Sequence, residues 1–67
     1  MKKAAYTKKA WQEKWREHQK KIDNRYWRMF AANPYPRTAK LIANAEGWSV
    51  AITWAALTGG KKWKGRV

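Results

Sequence analysis

The sequence predicts an all-α fold: a small bundle of three to four helices, with one long basic amphipathic N-terminal helix followed by a helical hairpin. Three observations predict it. Apolar side chains recur at helical spacing through the first half of the chain. Pro34, Pro36, Gly47 and Gly59-Gly60 punctuate the second half at intervals suited to short helices. No strand-like alternation runs long enough to build a sheet, and there is no internal repeat.

The first helix is expected over about residues 3–31. Trp11, Trp15, His18, Ile22, Tyr26 and Met29 follow one another in steps of 4, 3, 4, 4 and 3, which holds them on one stripe. Phe30 widens that stripe and Ala4 extends it toward the N-terminus, while Lys9, Glu13, Arg16, Lys20 and Lys21 fall largely elsewhere around the cylinder. Glu17 and Lys21 are ordered for an i,i+4 ion pair worth a few tenths of a kcal/mol. Asp23-Asn24 is the weakest point, because both side chains compete for backbone hydrogen bonds. A bend there fits the pattern, and continuity across it is left open.

Asn33-Pro34-Tyr35-Pro36 ends this helix, giving a turn over residues 32–37, since each proline drives the residue before it out of the α region. A second helix is expected over about residues 38–46, starting between Pro36 and Thr38, with Gly47 as its C′ stop. A third is expected over about residues 49–58, with Ser49 as N-cap and Gly59-Gly60 as terminator. On it Val50, Trp54 and Leu57 share one face, with Ile52, Ala55 and Ala56 beside them. Residues 59–67 form a basic, loose tail in which Trp63 has little to pack against. The whole chain is expected to be one domain.

Ala39 to Leu57 is the most apolar stretch, nineteen residues long. A spanning helix needs about twenty. Lys40, Asn44, Glu46 and Gly47 interrupt the stretch, and a charge at the bilayer centre costs about 2.5–3.5 kcal/mol on insertion scales. A hairpin that buries its apolar face against the first helix is therefore favoured over a transmembrane span.

Composition narrows the partner. The 67 residues include six tryptophans, sixteen Lys+Arg against four Asp+Glu, and no cysteine, for a formal charge of +12. Residues 1–30 hold ten basic and three acidic groups, residues 31–60 two and one, and the last seven residues four and none. Solubility alone asks for a net charge of about 2–8 in a small domain. The excess is relieved by a polyanion, and indole prefers a place with one apolar and one wet side. Two partners meet both demands, an anionic lipid membrane and a nucleic acid. A third possibility is a small subunit that folds on a larger acidic protein.

A chain of about this size buries roughly 60% of its unfolded surface, so the core is thin and six indoles are not easily hidden. At least two are expected to be partly exposed. The candidate binding residues are Trp11, Trp15, Trp27, Trp48, Trp54 and Trp63, with Lys8, Lys9, Lys20, Lys21, Lys61, Lys62, Lys64 and Arg66. For Trp11 and Trp15, core packing, interface anchoring and base stacking all stand open. His18, on the apolar stripe, is expected to be a packed histidine. One histidine without cysteine does not make a zinc site of the usual kind, and no cofactor is implied. There is no Gly-rich phosphate loop, nucleophile elbow or convergent carboxylate pair, so the chain is not expected to be an enzyme. It lacks the RNP, zinc-finger and helix-turn-helix patterns of nucleic-acid modules.

The segment Lys40-Leu41-Ile42-Ala43-Asn44-Ala45-Glu46-Gly47-Trp48-Ser49-Val50-Ala51-Ile52-Thr53-Trp54 resembles the helix–corner–helix of leaderless bacteriocins of the aureocin and lacticin type, and the matching turn of circular bacteriocins. Asn44-Ala45 and Gly47 stand at the corner, and Ile52-Thr53-Trp54 in the helix after it. Glu46 is an insertion relative to the usual corner, and residues 1–36 depart from the family in their length and charge. The resemblance implies a saposin-like bundle, export without a cleaved signal peptide, and permeabilisation of Gram-positive membranes without a mandatory protein receptor. Met1-Lys2-Lys3 is followed by no apolar h-region, in keeping with that mode of secretion. A monomer in solution, acting at the target cell membrane, is expected.

Overall fold

The computed structural model describes residues 8–63 and folds them into α1 (Lys8–Gln19), α2 (Asn24–Ala32), α3 (Pro36–Glu46) and α4 (Val50–Thr58). The protein is an all-α bundle, and no strand occurs among the described residues.

The expected long N-terminal helix is two helices. The last turn of α1 tightens into i→i−3 hydrogen bonds, from Lys20 N–H to Glu17 O (3.2 Å), Lys21 N–H to His18 O (2.9 Å) and Ile22 N–H to Gln19 O (3.3 Å). Asp23 then leaves the helical region at φ −65°, ψ 151°, and its carboxylate accepts the Arg25 N–H at 3.2 Å as the N-cap of α2. The break falls on the weak Asp23-Asn24 pair. The expected start near residue 3 lies outside the described residues.

The stripe survives the break only in part. Trp15, His18, Ile22 and Phe30 are buried, but α2 turns Tyr26, Trp27 and Phe30 inward and leaves Met29 exposed. The expected Glu17–Lys21 pair is also displaced. Lys21 lies beyond the helix end, and Lys20 Nζ instead stands 3.8 Å from Glu17 Oε2, with both side chains in water. A pair so exposed contributes little.

Local chemistry sets the later boundaries. Pro36 occupies the first turn of α3, where its missing N–H has no partner to lose. At the other end Gly47 takes the left-handed conformation (φ 74°), and the N–H groups of Gly47 and Trp48 both reach Ala43 O. The same closure recurs after α4, where Gly59 and Gly60 both donate to Ala55 O. Ser49 is the N-cap of α4 by backbone geometry, yet its hydroxyl makes no capping bond.

α4 is the centre of the bundle. It packs against α1 on one side and α3 on another, while α2 leans on α3. His18 meets Thr53 and Trp15 meets Gly60, so α1 and α4 run antiparallel. Val50, Ile52, Thr53, Ala55, Ala56 and Leu57 are all buried, which corrects the expectation of one apolar face with a flank. Ala51, Trp54 and Thr58 share the remaining side, which is half-buried. Ala39, Ala43, Ala55 and Ala56 are wholly inaccessible, so small side chains let α3 and α4 approach closely. No helix among the described residues is long and apolar enough to cross a membrane.

Candidate functional site

One tryptophan lies in the core and most of the others pack around it at half depth. Trp15 is 9% exposed, while Trp11, Trp27, Trp48 and Trp54 are partly buried and pack against the core cluster. Trp48, in the α3–α4 corner, joins three parts of the fold. Its ring meets His18 of α1 edge-on at 4.4 Å and Tyr26 of α2 at 6.5 Å. Trp54 lies between Phe30 at 5.8 Å and Trp63 at 5.9 Å, again edge to face. Such pairs add about 0.5–1.5 kcal/mol beyond burial.

Trp63 departs from expectation. Instead of standing loose in the tail, it folds back on Trp54, and its Nε1–H is buried with no hydrogen-bond partner. The chain reaches it through Gly60, whose backbone lies over the Trp15 ring. A Cβ at Gly60 would stand 3.0 Å from Trp15 Cζ2. The Gly60 conformation, at φ 111°, is one that residues with a side chain rarely adopt.

His18 is a packed histidine with one defined tautomer. Thr53 Oγ1 gives its single proton to Ser49 O at 2.9 Å, so it accepts from His18 Nε2–H at 3.2 Å. Burial, with help from the nearby Lys21 charge, lowers the His18 pKa below the ordinary 6.5 and keeps the ring neutral at pH 7. Close by, Gln19 Nε2 donates to Ala56 O at 2.8 Å and ties α1 to α4 a second time. Tyr26 donates its hydroxyl to Glu46 Oε2 at 2.6 Å, and that bond raises the phenol pKa.

The candidate cations do not form one cluster. Lys8 and Lys9 open α1, Lys20 and Lys21 follow its far end, and Lys61 and Lys62 follow Gly60 beside Trp15; all six are exposed. Lys64 and Arg66 lie outside the described residues. Arg16 stands 5.7 Å from the Trp15 ring centre and Arg25 5.4 Å from that of Tyr26, so cation and aromatic meet at the surface in two places. Among the described residues the ion pairs are Lys20–Glu17 and Arg25–Asp23, which leaves most of the positive charge uncompensated.

One feature was not legible in the sequence. The large apolar side chains most open to solvent are not tryptophans but Met29 (37%), Tyr35 (58%) and Leu41 (58%). All three line a shallow groove at the α2–α3 elbow, together with Asn33, Arg37 and Thr38. A helical wheel of α3 carries part of the signal: Thr38, Ala39, Ile42 and Ala43 make its buried stripe and turn Leu41 away from it.

Among the described residues no three His, Asp or Glu side chains come together in a way that could hold a metal. No family model matches this chain, and no curated protein or solved structure is significantly similar to it.

Proposed function

We propose that this protein is a cationic, tryptophan-rich antimicrobial of the bacteriocin kind, which binds anionic bacterial membranes and permeabilises them without catalysis or cofactor. The observation that carries this reading is the largely unneutralised positive surface laid over a thin core, with most of the indoles at half depth. Near anionic lipid each basic residue contributes about 1 kcal/mol, and the six exposed candidate lysines supply adsorption. Indoles half in and half out of a core need little rearrangement to settle at headgroup depth. The helix–corner–helix formed by α3, Gly47 and α4 lends support to the resemblance of residues 40–54 to leaderless bacteriocins. On this reading the protein acts outside the cell that makes it.

Nucleic-acid binding has less support. Stacking on bases asks for an aromatic ring with an open face. Among the described residues the exposed aromatic ring is that of Tyr35, while every tryptophan is packed at least in part. Purified protein applied to Gram-positive indicator cells tests the proposal: growth inhibition with rapid entry of a membrane-impermeant dye is expected. Intact cells at micromolar protein, together with tight, salt-sensitive oligonucleotide binding, would overturn it in favour of the nucleic-acid reading.

A further inference from the structure

We propose that the groove at the α2–α3 elbow, lined by Met29, Tyr35 and Leu41, is the edge by which the protein first enters an anionic bilayer. The inference rests on the membrane reading and names the part of the surface that leads.

The groove differs from the rest of the surface in two respects. Met29, Tyr35 and Leu41 are the exposed large hydrophobic side chains among the described residues, and all three line this one concavity. Its one charged lining residue is also a cation, Arg37. The two carboxylates of this part of the chain are engaged elsewhere: Asp23 caps α2 and pairs with Arg25 at 3.6 Å, and Glu46 accepts the Tyr26 hydroxyl. Among the described residues no ion pair reaches Arg37.

Exposed apolar side chains beside an arginine outside any ion pair match a layer whose surface is phosphate and whose interior is hydrocarbon. Leu41 and Met29 enter the acyl boundary, Tyr35 rests at the headgroup level, and Arg37 takes a lipid phosphate. An acidic protein would answer Arg37 but not the apolar groove, and a second copy would bring like charge against like. The half-buried tryptophans follow when the bundle loosens, rather than leading.

The chain contains no cysteine, so single labels are unambiguous. Leu41→Cys and Gln12→Cys, the latter at an exposed position of α1, are each labelled with an environment-sensitive nitrobenzoxadiazole dye and mixed with phosphatidylglycerol-rich vesicles. Cosedimentation of the unlabelled wild type is measured in parallel. The proposal expects a blue shift and a several-fold emission rise at position 41, with position 12 remaining aqueous. It also expects Tyr35→Ser/Leu41→Ser, two exposed positions whose helicity is checked by circular dichroism, to weaken vesicle partitioning by about tenfold. Bound protein with an aqueous label at position 41, or equal shifts at both positions, overturns the proposal and leaves the membrane reading standing. Wild-type protein that fails to cosediment overturns both. A double variant that binds vesicles normally but loses self-association shows that a second copy occupies the groove, and also overturns it.

Discussion

His18 Nε2–H donates to Thr53 Oγ1 at 3.2 Å, and through this bond α1 and the central α4 are held in register from inside the bundle. Neither residue is exposed, at 7% and 0% respectively. The Thr53 hydroxyl passes the chain on to Ser49 O, so two helices and the α3–α4 corner share one polar link.

This link makes the fold sensitive to acid. The His18 pKa is lowered in the folded state by burial and by Lys21, so the unfolded chain binds the proton more readily. The contribution is complete above the ordinary 6.5 and is lost as pH falls below it toward the lowered value. Melting temperatures followed by circular dichroism should be flat from pH 8 to 7 and should begin to fall below about pH 6.5, before most carboxylates titrate. His18→Gln should flatten that slope; an unchanged slope would assign it elsewhere.

Thr53→Val keeps the shape of the side chain but removes the acceptor, leaving the His18 N–H buried and unpaired. The expected loss is about 1–3 kcal/mol in urea unfolding. Thr58, half-buried, donates its hydroxyl to Trp54 O at 2.7 Å without bridging two helices, so Thr58→Val should lose less. The reverse order would contradict the assigned role of Thr53.

Two glycines with positive φ should respond differently to alanine. At Gly47 a Cβ meets nothing within 4 Å, so Gly47→Ala carries the left-handed conformational cost of about 1–2 kcal/mol. At Gly60 the same Cβ would also press on Trp15 at 3.0 Å, and Gly60→Ala should be the more destabilising. Equal effects would mean that the tail does not lie over Trp15 in solution.

Trp63 carries a buried, unpaired indole N–H, so Trp63→Phe removes a penalty while keeping an edge against Trp54. Its stability should stay within about 0.5 kcal/mol of wild type, whereas Trp63→Ala should lose about 2 kcal/mol. A large loss on Trp63→Phe would show that the N–H has a partner.

These elements differ in how much the sequence revealed of them. Caps and prolines act within a few residues, so the ends at Pro36, Gly47 and Gly59 could be placed before any packing was known. The break at Asp23 showed itself only as a weak spot, because the apolar spacing of the residues runs on across it. Burial of most of α4 arises from α1 and α3 closing around it, and the nearly continuous apolar run over residues 50–57 does not say which neighbours do so. The seat of Trp63 on Trp54 depends on the chain folding back at Gly60. The elbow groove depends on which face α2 presents after the break. Charge and indole content were plain from the residues; the side chains most open to solvent were not.

The most direct test of the central claim is release of an entrapped dye from vesicles. Cations that adsorb to lipid and aromatic side chains that then enter it should together cause leakage from phosphatidylglycerol-rich vesicles, weakened by salt, and little from purely zwitterionic ones. Silence on both compositions at micromolar protein, or equal leakage from both, would contradict it.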